Sequence, residues 1–196
     1  MGNGLVPTYF THEAVDFEPV VDENGNPVMS HYGLQKAVVK EFKTVALPYF
    51  LEGPARMMGY VDTDTAREMF NNVKKTDIYD SKLGMYKTSA SIEECSMENG
   101  RCRAFTPGWQ ERENVFLHME YKYMLAMIKA GLYDEFYETV TRALVPFLDP
   151  NMYGRSILEN SSFIASSANP NEDIHGRGFV ARLSGSTTEM ISMWIE

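Results

Sequence analysis

His118 is the first of the few side chains in this sequence whose type and surroundings suggest chemistry. It stands among Phe116, Leu117 and Met119. A histidine in such a setting is either a packing residue with a satisfied hydrogen bond, or a group that contacts an anion or acts as an acid or base. Imidazole suits the second role because it can carry a proton near neutral pH. The residues alone leave both interpretations open.

A charged cluster, Glu111, Arg112 and Glu113, precedes this histidine. Its carboxylates fit a solvated first turn of a helix, where they would complement the helix dipole. The same groups fit the rim of a sugar site, because carboxylates and guanidinium groups make paired hydrogen bonds with hydroxyls. Trp109, just before the cluster, could stack on the apolar face of a pyranose or simply pack against other side chains.

A glycine-flanked arginine, Arg177, stands in residues 173–178 (Asp-Ile-His-Gly-Arg-Gly). Glycine lets the backbone approach a ligand closely, and arginine pairs with anionic oxygens. The segment therefore fits either an anion-binding loop or a plain turn.

A second candidate anion site begins at Ser184, in the Ser-Gly-Ser sequence that leads into an apolar C-terminal segment. Hydroxyls and amides at the positive end of a helix suit an anion. Residues 186–189 (Ser-Thr-Thr-Glu) also have the spacing of a capping box. That motif predicts that Glu189 reaches back to the first residue of the helix.

Composition and missing motifs exclude several classes of protein. The 196 residues carry a formal charge of −9, which argues against nucleic acid as a partner. No apolar run approaches the roughly 20 residues of a membrane span, and no secretory signal is visible, so we expect a cytoplasmic protein. The sequence contains no Walker loop, nucleophile elbow or dinucleotide fingerprint. Cys95 and Cys102 lack zinc-site spacing and are predicted to be reduced, inert thiols, so we expect no metal and no bound cofactor.

The hydrophobic pattern predicts a mainly α chain with long loops and little strand. Residues 1–33 form an irregular lead-in with a turn at 22–27, and residues 34–196 are predicted to be helical, interrupted by loops. Apolar residues recur at helical spacing in 34–46 and 65–74, and again in a helical hairpin that runs from after Trp109 to Pro146. A short helix is also predicted over 54–60, where Gly53-Pro54 restarts the chain. The stretches 76–108 and 149–185 are predicted to be loops.

Two segments carry a family resemblance. Residues 112–118 (Arg-Glu-Asn-Val-Phe-Leu-His), followed by 183–187 (Leu-Ser-Gly-Ser-Thr), resemble the C-terminal part of the catalytic domain of the cellobiose phosphorylase-like enzymes, family 94 of the glycoside hydrolases. The family pattern reads roughly Lys-Glu-Asn-Gly-Gly-x-Phe-Cys-His and then Leu-Thr-Gly-Ser/Thr-Ala. Residues 47–54 and 153–194 are similar to a larger branch of the group, and the resemblance covers about residues 5–196. This chain lacks the two glycines and has Arg for Lys and Ser for Thr.

The resemblance implies a fold, a reaction and site residues. The fold would be a partial (α/α)6 toroid of helical hairpins, with residues 1–196 as a single unit and C-terminal fragment of the catalytic domain. The reaction would be inverting phosphorolysis of a β-glucoside to glucose 1-phosphate, with inorganic phosphate as co-substrate. By position, His118 and Ser184 would bind phosphate, and Arg112 and Glu113 would bind the acceptor-side sugar. No catalytic residue is assigned, because the general-acid Asp of the family belongs to a segment expected upstream of residue 1.

Other interpretations stay open. The chain could be a non-catalytic helical module that binds carbohydrate or protein, or part of an inverting glucan hydrolase. Its partners would be a β-glucoside or oligosaccharide and phosphate. Alone it is expected to be inactive or very weak, since a phosphorolysis needs the proton donor. Helix faces left open by a partial toroid also predict a homo-oligomer or association with the remainder of a longer chain.

Overall fold

The computed structural model describes residues 5–181 and 184–196. The chain divides into two compact units. Tyr9–Leu47 form the first, which we name the ribbon unit. The residues on either side of it form the second, the main unit, which contains every candidate site residue.

The ribbon unit is built on two antiparallel strands, β1 (Phe10–Pro19) and β2 (Ala37–Ala46). Their pairing shifts register twice, so that Val15 and Lys40 are left without an opposite residue. The segment between the strands contains the predicted turn at 22–27, which is confirmed. There the Asp22 carboxylate accepts the N–H groups of Asn24 and Asn26 at 2.8 Å.

The predicted helix over 34–46 is wrong, because this segment is mostly strand β2. Val38, Phe42 and Val45 have helical spacing, yet in the strand Phe42 faces the opposite side from Val45. The β-branched residues of the segment favour extended backbone. The decisive pairing with β1 joins residues far apart in sequence, so local spacing cannot reveal it. For the same reason the lead-in is more regular than predicted.

The main unit contains seven helices and five short strands within the described residues. The helices are α1 (Glu52–Met57), α2 (Thr63–Val73), α3 (Arg101–Ala104), α4 (Leu117–Lys129), α5 (Tyr133–Ala143), α6 (Pro150–Tyr153) and α7 (Gly185–Ile195). Short 3₁₀ turns span Met58–Tyr60, Met97–Asn99, Val145–Phe147 and Glu172–Ile174. Strands β3 (Tyr79–Asp80) and β4 (Met85–Tyr86) form a hairpin. Strands β5 (Val115–Phe116), β6 (Phe163–Ile164) and β7 (Gly178–Phe179) form an antiparallel sheet in the order β5-β6-β7.

The predicted partial (α/α)6 toroid of a mainly α chain is also wrong. The described residues form a mixed α/β structure with three small antiparallel sheets. Two of these sheets lie within the stretches predicted to be helical or loop. The strands β3 to β7 are two residues long, which is too short to leave a periodic pattern in the sequence.

The helices with strong local signals were predicted correctly. Helix α2 begins after Asp62, whose carboxylate accepts the N–H of Thr65 at 3.0 Å. Helices α4 and α5 form the predicted hairpin, and Gly131 between them has φ +75°, which permits the abrupt end of α4. The predicted helix near residues 54–60 is α1 with the 3₁₀ turn that follows it.

Helix α4 is the centre of the main unit, because two apolar clusters use its opposite sides. Tyr123 and Met127 pack in one cluster with side chains of α1 and α2. Tyr121 and Met124 pack in the other with side chains of α5 and with Tyr153. All five of these side chains are fully buried. Burial on both sides fixes the helix that carries His118.

A glutamate also lies inside this core. Glu120 of α4 is completely buried, and one of its carboxylate oxygens accepts the backbone N–H of Tyr86 at 3.0 Å. Burial raises the pKa of the Glu120 carboxyl well above its ordinary value. The group is therefore neutral in the folded chain over a range of pH in which it ionises in the unfolded chain.

This difference predicts a pH-dependent stability. Above the ordinary carboxyl pKa the folded state holds a proton that the unfolded state has lost, so the free energy of unfolding falls as pH rises, by up to about 1.4 kcal/mol per pH unit. In Glu120→Gln the amide keeps the acceptor and does not titrate. Urea unfolding between about pH 5 and about pH 8 should therefore show a flatter decline for Glu120→Gln than for the wild type. The exposed Glu94→Gln variant is the control, and an equal slope in all three proteins would contradict the assignment.

Candidate functional site

Strand β5 leads directly into α4 and thereby sets the position of His118 in the first turn of the helix. The N–H of Leu117 donates to the carbonyl of Ser162 at 3.0 Å. The ring of Phe116 packs at 4.8 Å from that of Phe163 in the neighbouring strand, and meets the His118 ring edge-on at 5.7 Å. The imidazole is therefore fixed at its helix end and remains partly exposed, at 34% of its side chain.

Helix α7 begins against this imidazole. A Cβ atom added to Gly185 would lie 2.5 Å from Nδ1 and 2.7 Å from Cγ of His118, so only glycine allows this approach. Ser184, immediately before Gly185, is the N-cap residue of α7, and its side chain makes no hydrogen bond to the backbone of the first turn. The structure thus brings the two predicted phosphate-binding residues, His118 and Ser184, to the same end of α7.

Two charged side chains, the carboxylate of Glu189 and the amine of Lys122, lie close to His118. Oε1 of Glu189 lies 3.2 Å from Nε2 of His118 and 3.9 Å from Nζ of Lys122. When His118 is protonated, this group carries two positive charges and one negative charge. The positive end of the α7 dipole adds to that balance.

The predicted capping box at residues 186–189 is wrong. Ser186 lies inside the first turn of α7, and its hydroxyl donates to the carbonyl of Ser161 at 3.3 Å. Glu189 faces His118 instead of the helix start. The capping box does not form, because the carboxylate of Glu189 makes a tertiary contact with His118 instead.

Ser184 borders an open cleft of about 440 Å³. The cleft contains both polar and apolar side chains, and those besides Ser184 include Leu158, Glu159, Asn160, Ala181 and Thr187. Asn160 is held in place because its amide oxygen accepts the hydroxyl of Tyr121 at 3.0 Å. The cleft therefore offers hydroxyl and amide groups beside the end of α7, which suits a small polar ligand.

Arg112, which was predicted to bind sugar with Glu113, is 4% exposed. Its Nη1 donates at 2.9 Å to the carbonyls of both Arg103 and Phe105, and its Nη2 pairs with Glu93. Protein atoms therefore use the guanidinium to hold the loop before β5. This contact set supports a structural role, and sugar binding by Arg112 stays a prediction.

Glu113 is likewise 5% exposed, with its carboxylate 3.4 Å from Nε of Arg112. Its backbone has φ +54°, a conformation that side-chain-bearing residues rarely adopt. Gln110 in the same loop has φ +56°. The carbonyl of Glu113 accepts the hydroxyl of Ser166, which helps hold this strained segment. Strained backbone often lies near functional sites, but here neither Glu113 nor Arg112 presents its side chain to solvent.

Aromatic rings connect this loop with His118. Trp109 stacks on Phe179 with ring centroids 3.7 Å apart and planes 5° from parallel. Phe179 stacks on Phe163, which continues to Phe116 and so to His118. One face of Trp109 is therefore covered by the protein itself. The sequence did not reveal this row, because Phe116, Phe163 and Phe179 lie on two-residue strands.

The remaining sequence candidates have ordinary structural roles. Arg177 is exposed, and its Nε donates to the carbonyl of Asp173 at 3.2 Å, as in a plain turn. Cys95 and Cys102 are free thiols whose pKa is raised by burial.

Over the described residues 5–181 and 184–196, no group of three or more His, Cys, Asp or Glu side chains could hold a metal ion. None of the described helices is long and apolar enough to cross a membrane.

No protein-family model matches the chain, and a search of curated proteins also found no match.

The approach of α7 to His118 predicts that Gly185→Ala destabilises the protein. The added methyl group must move the ring or the helix, which should lower the free energy of unfolding by about 1–3 kcal/mol. Gly59→Ala is the matched control, because a Cβ at Gly59 meets nothing within 4 Å. Chemical unfolding of both variants measures the difference. Equal stability of the two would show that α7 does not approach His118 as described.

Proposed function

We propose that this chain supplies the phosphate-contacting part of a cytoplasmic carbohydrate-active enzyme that cleaves β-glucosides with inorganic phosphate and inverts the anomeric centre. The product would be glucose 1-phosphate. The observation that carries the proposal is the meeting of His118 with the Ser184 end of α7, two residues that the resemblance to glycoside phosphorylases had paired. The proposal rests on this site and not on the toroid fold.

The chemistry of the site supports phosphate. The start of α7 offers backbone amides and the positive end of the helix dipole, a common arrangement for anion binding. The hydroxyl of Ser184 adds a donor, the imidazole of His118 adds a further hydrogen-bonding group, and Lys122 offsets the charge of Glu189. Phosphate held there would be oriented for attack on a sugar in the adjoining cleft. None of the described residues is assigned as the proton donor, so the chain alone should be inactive or very weak.

A second candidate is part of an inverting glucan hydrolase, and one contact favours it. His118 is paired with the Glu189 carboxylate at 3.2 Å, and a histidine with a carboxylate partner is also suited to activate a water molecule. A non-catalytic carbohydrate-binding or protein-binding module is the remaining alternative.

Calorimetry with inorganic phosphate and with β-glucan oligosaccharides tests the proposal. We expect phosphate to bind, and His118→Ala to weaken that binding by about tenfold or more, because a charge-assisted hydrogen bond is lost. Ser184→Ala should weaken it by about fivefold. Ser192→Ala, a change of the same type on the same helix, should leave phosphate affinity unchanged.

Other outcomes distinguish the alternatives. Oligosaccharide binding that does not depend on phosphate would favour a binding module or a hydrolase. Equal phosphate affinity of the wild type, His118→Ala and Ser184→Ala would contradict the proposed site. Sulfate at the same concentration measures binding that any anion would show.

We also propose that the chain forms a homo-oligomer or associates with the remainder of a longer chain. The support is exposed apolar surface on and near α7, where Trp194 is 92% and Ile191 52% exposed, with Phe147 at 59%. Sedimentation velocity should show self-association that Trp194→Ser weakens. A wild-type chain that stays monomeric at every accessible concentration would exclude the homo-oligomer.

A further inference from the structure

One side chain of α7 contacts the candidate phosphate site without having been assigned to it. Glu189 lies four residues after Gly185, so both face α4. The side chain of Glu189 is only 15% exposed. A single carboxylate oxygen, Oε1, meets both Nε2 of His118 and Nζ of Lys122, at 3.2 Å and 3.9 Å.

This contact determines which ring nitrogen carries the proton. An ionised carboxylate only accepts hydrogen bonds, so Nε2 of His118 must donate to Glu189. A neutral imidazole has one N–H, and Nδ1 is then the nitrogen with the lone pair. Nδ1 is also the ring nitrogen nearest to the position that a Cβ would take at Gly185, where α7 begins.

We infer that Glu189 is a positioning residue that holds the proton of His118 on Nε2 and turns Nδ1 toward the start of α7. The inference rests on the proposed function in one respect, since the lone pair of Nδ1 is then the group that accepts the O–H of hydrogen phosphate. Lys122 shares the same carboxylate oxygen and offsets its charge, so the pairing does not leave a net negative group beside the anion. Glu189 acts through His118 and needs no contact with the ligand.

The position of Glu189 supports this role over simple helix capping. A glutamate three residues after Ser186 has the capping-box spacing, yet its carboxylate faces His118. A glutamate in the second turn of α7 also gains less from the helix dipole than one in the first turn. Its contacts with His118 and Lys122 of α4 therefore support a role in positioning the imidazole.

Two uncharged variants separate hydrogen bonding from charge. Glu189→Gln keeps an oxygen that accepts from Nε2, whereas Glu189→Leu removes the acceptor and fills a similar volume. Long-range ¹H–¹⁵N NMR reports the protonated nitrogen of His118 at a pH at which the ring is neutral, without any ligand. We expect a single Nε2–H tautomer in the wild type and in Glu189→Gln, and a loss of that single-tautomer signature in Glu189→Leu.

Inorganic phosphate then tests the consequence for binding. Glu189→Leu should bind phosphate about threefold or more weakly than Glu189→Gln, because its ring must be ordered on binding. Equal tautomer signatures and equal phosphate affinities in these two variants would overturn the inference. If Glu189→Leu does not fold, the wild-type spectrum still decides, since a proton on Nδ1 of neutral His118 contradicts it. A fixed Nε2–H tautomer with no response to phosphate would instead refute the proposed function and leave the role of Glu189 intact.

Discussion

The close approach of Gly185 to the ring of His118 is the contact on which the candidate site depends. Without a side chain at residue 185, α7 can begin against the imidazole. The same approach places Ser184 at that end of the helix and brings Glu189, one turn later, to the other ring nitrogen. A larger residue at 185 would separate all three groups from His118.

The rigidity of α4 makes this contact possible. Apolar clusters cover the helix on two sides, and Tyr121 and Tyr123 are both fully buried. His118 lies within about one and a half turns of these anchored positions, so its ring position is set by core packing and by the pairing of β5 with β6. Burial of the neutral Glu120 in the same helix is a cost to stability that this core tolerates.

Local signals were enough to predict part of the fold and failed for the rest. Helix α2 was predictable because Asp62 caps it and its apolar residues recur at helical spacing, and the α4–α5 hairpin was predictable because Gly131 ends its first helix. Strand β2 was mistaken for a helix, since its partner β1 is distant in sequence and two register shifts disturb the period of two. The short strands around Phe163 and Phe179 leave no pattern at all.

The candidate site, like the fold, was predicted in part from the sequence and depends otherwise on tertiary contacts. The order of the motifs pointed to His118 and Ser184, and the structure brings their segments together. The local capping-box pattern gave Glu189 the wrong partner, because a contact with α4 outweighs it. Arg112 and Glu113 have residue types suited to sugar binding, but the fold uses them inside a strained loop. Residue type indicates what chemistry is possible, whereas burial decides whether a ligand can reach it.

The most direct test of the central contact is a nuclear Overhauser measurement in solution between the Hε1 proton of His118 and the Hα protons of Gly185. A Cβ at Gly185 would lie 3.0 Å from the carbon that carries Hε1, so the structure predicts a strong cross-peak. A spectrum in which both sets of protons are assigned and no cross-peak joins them would contradict the approach of α7 to the imidazole, and with it the account of the site.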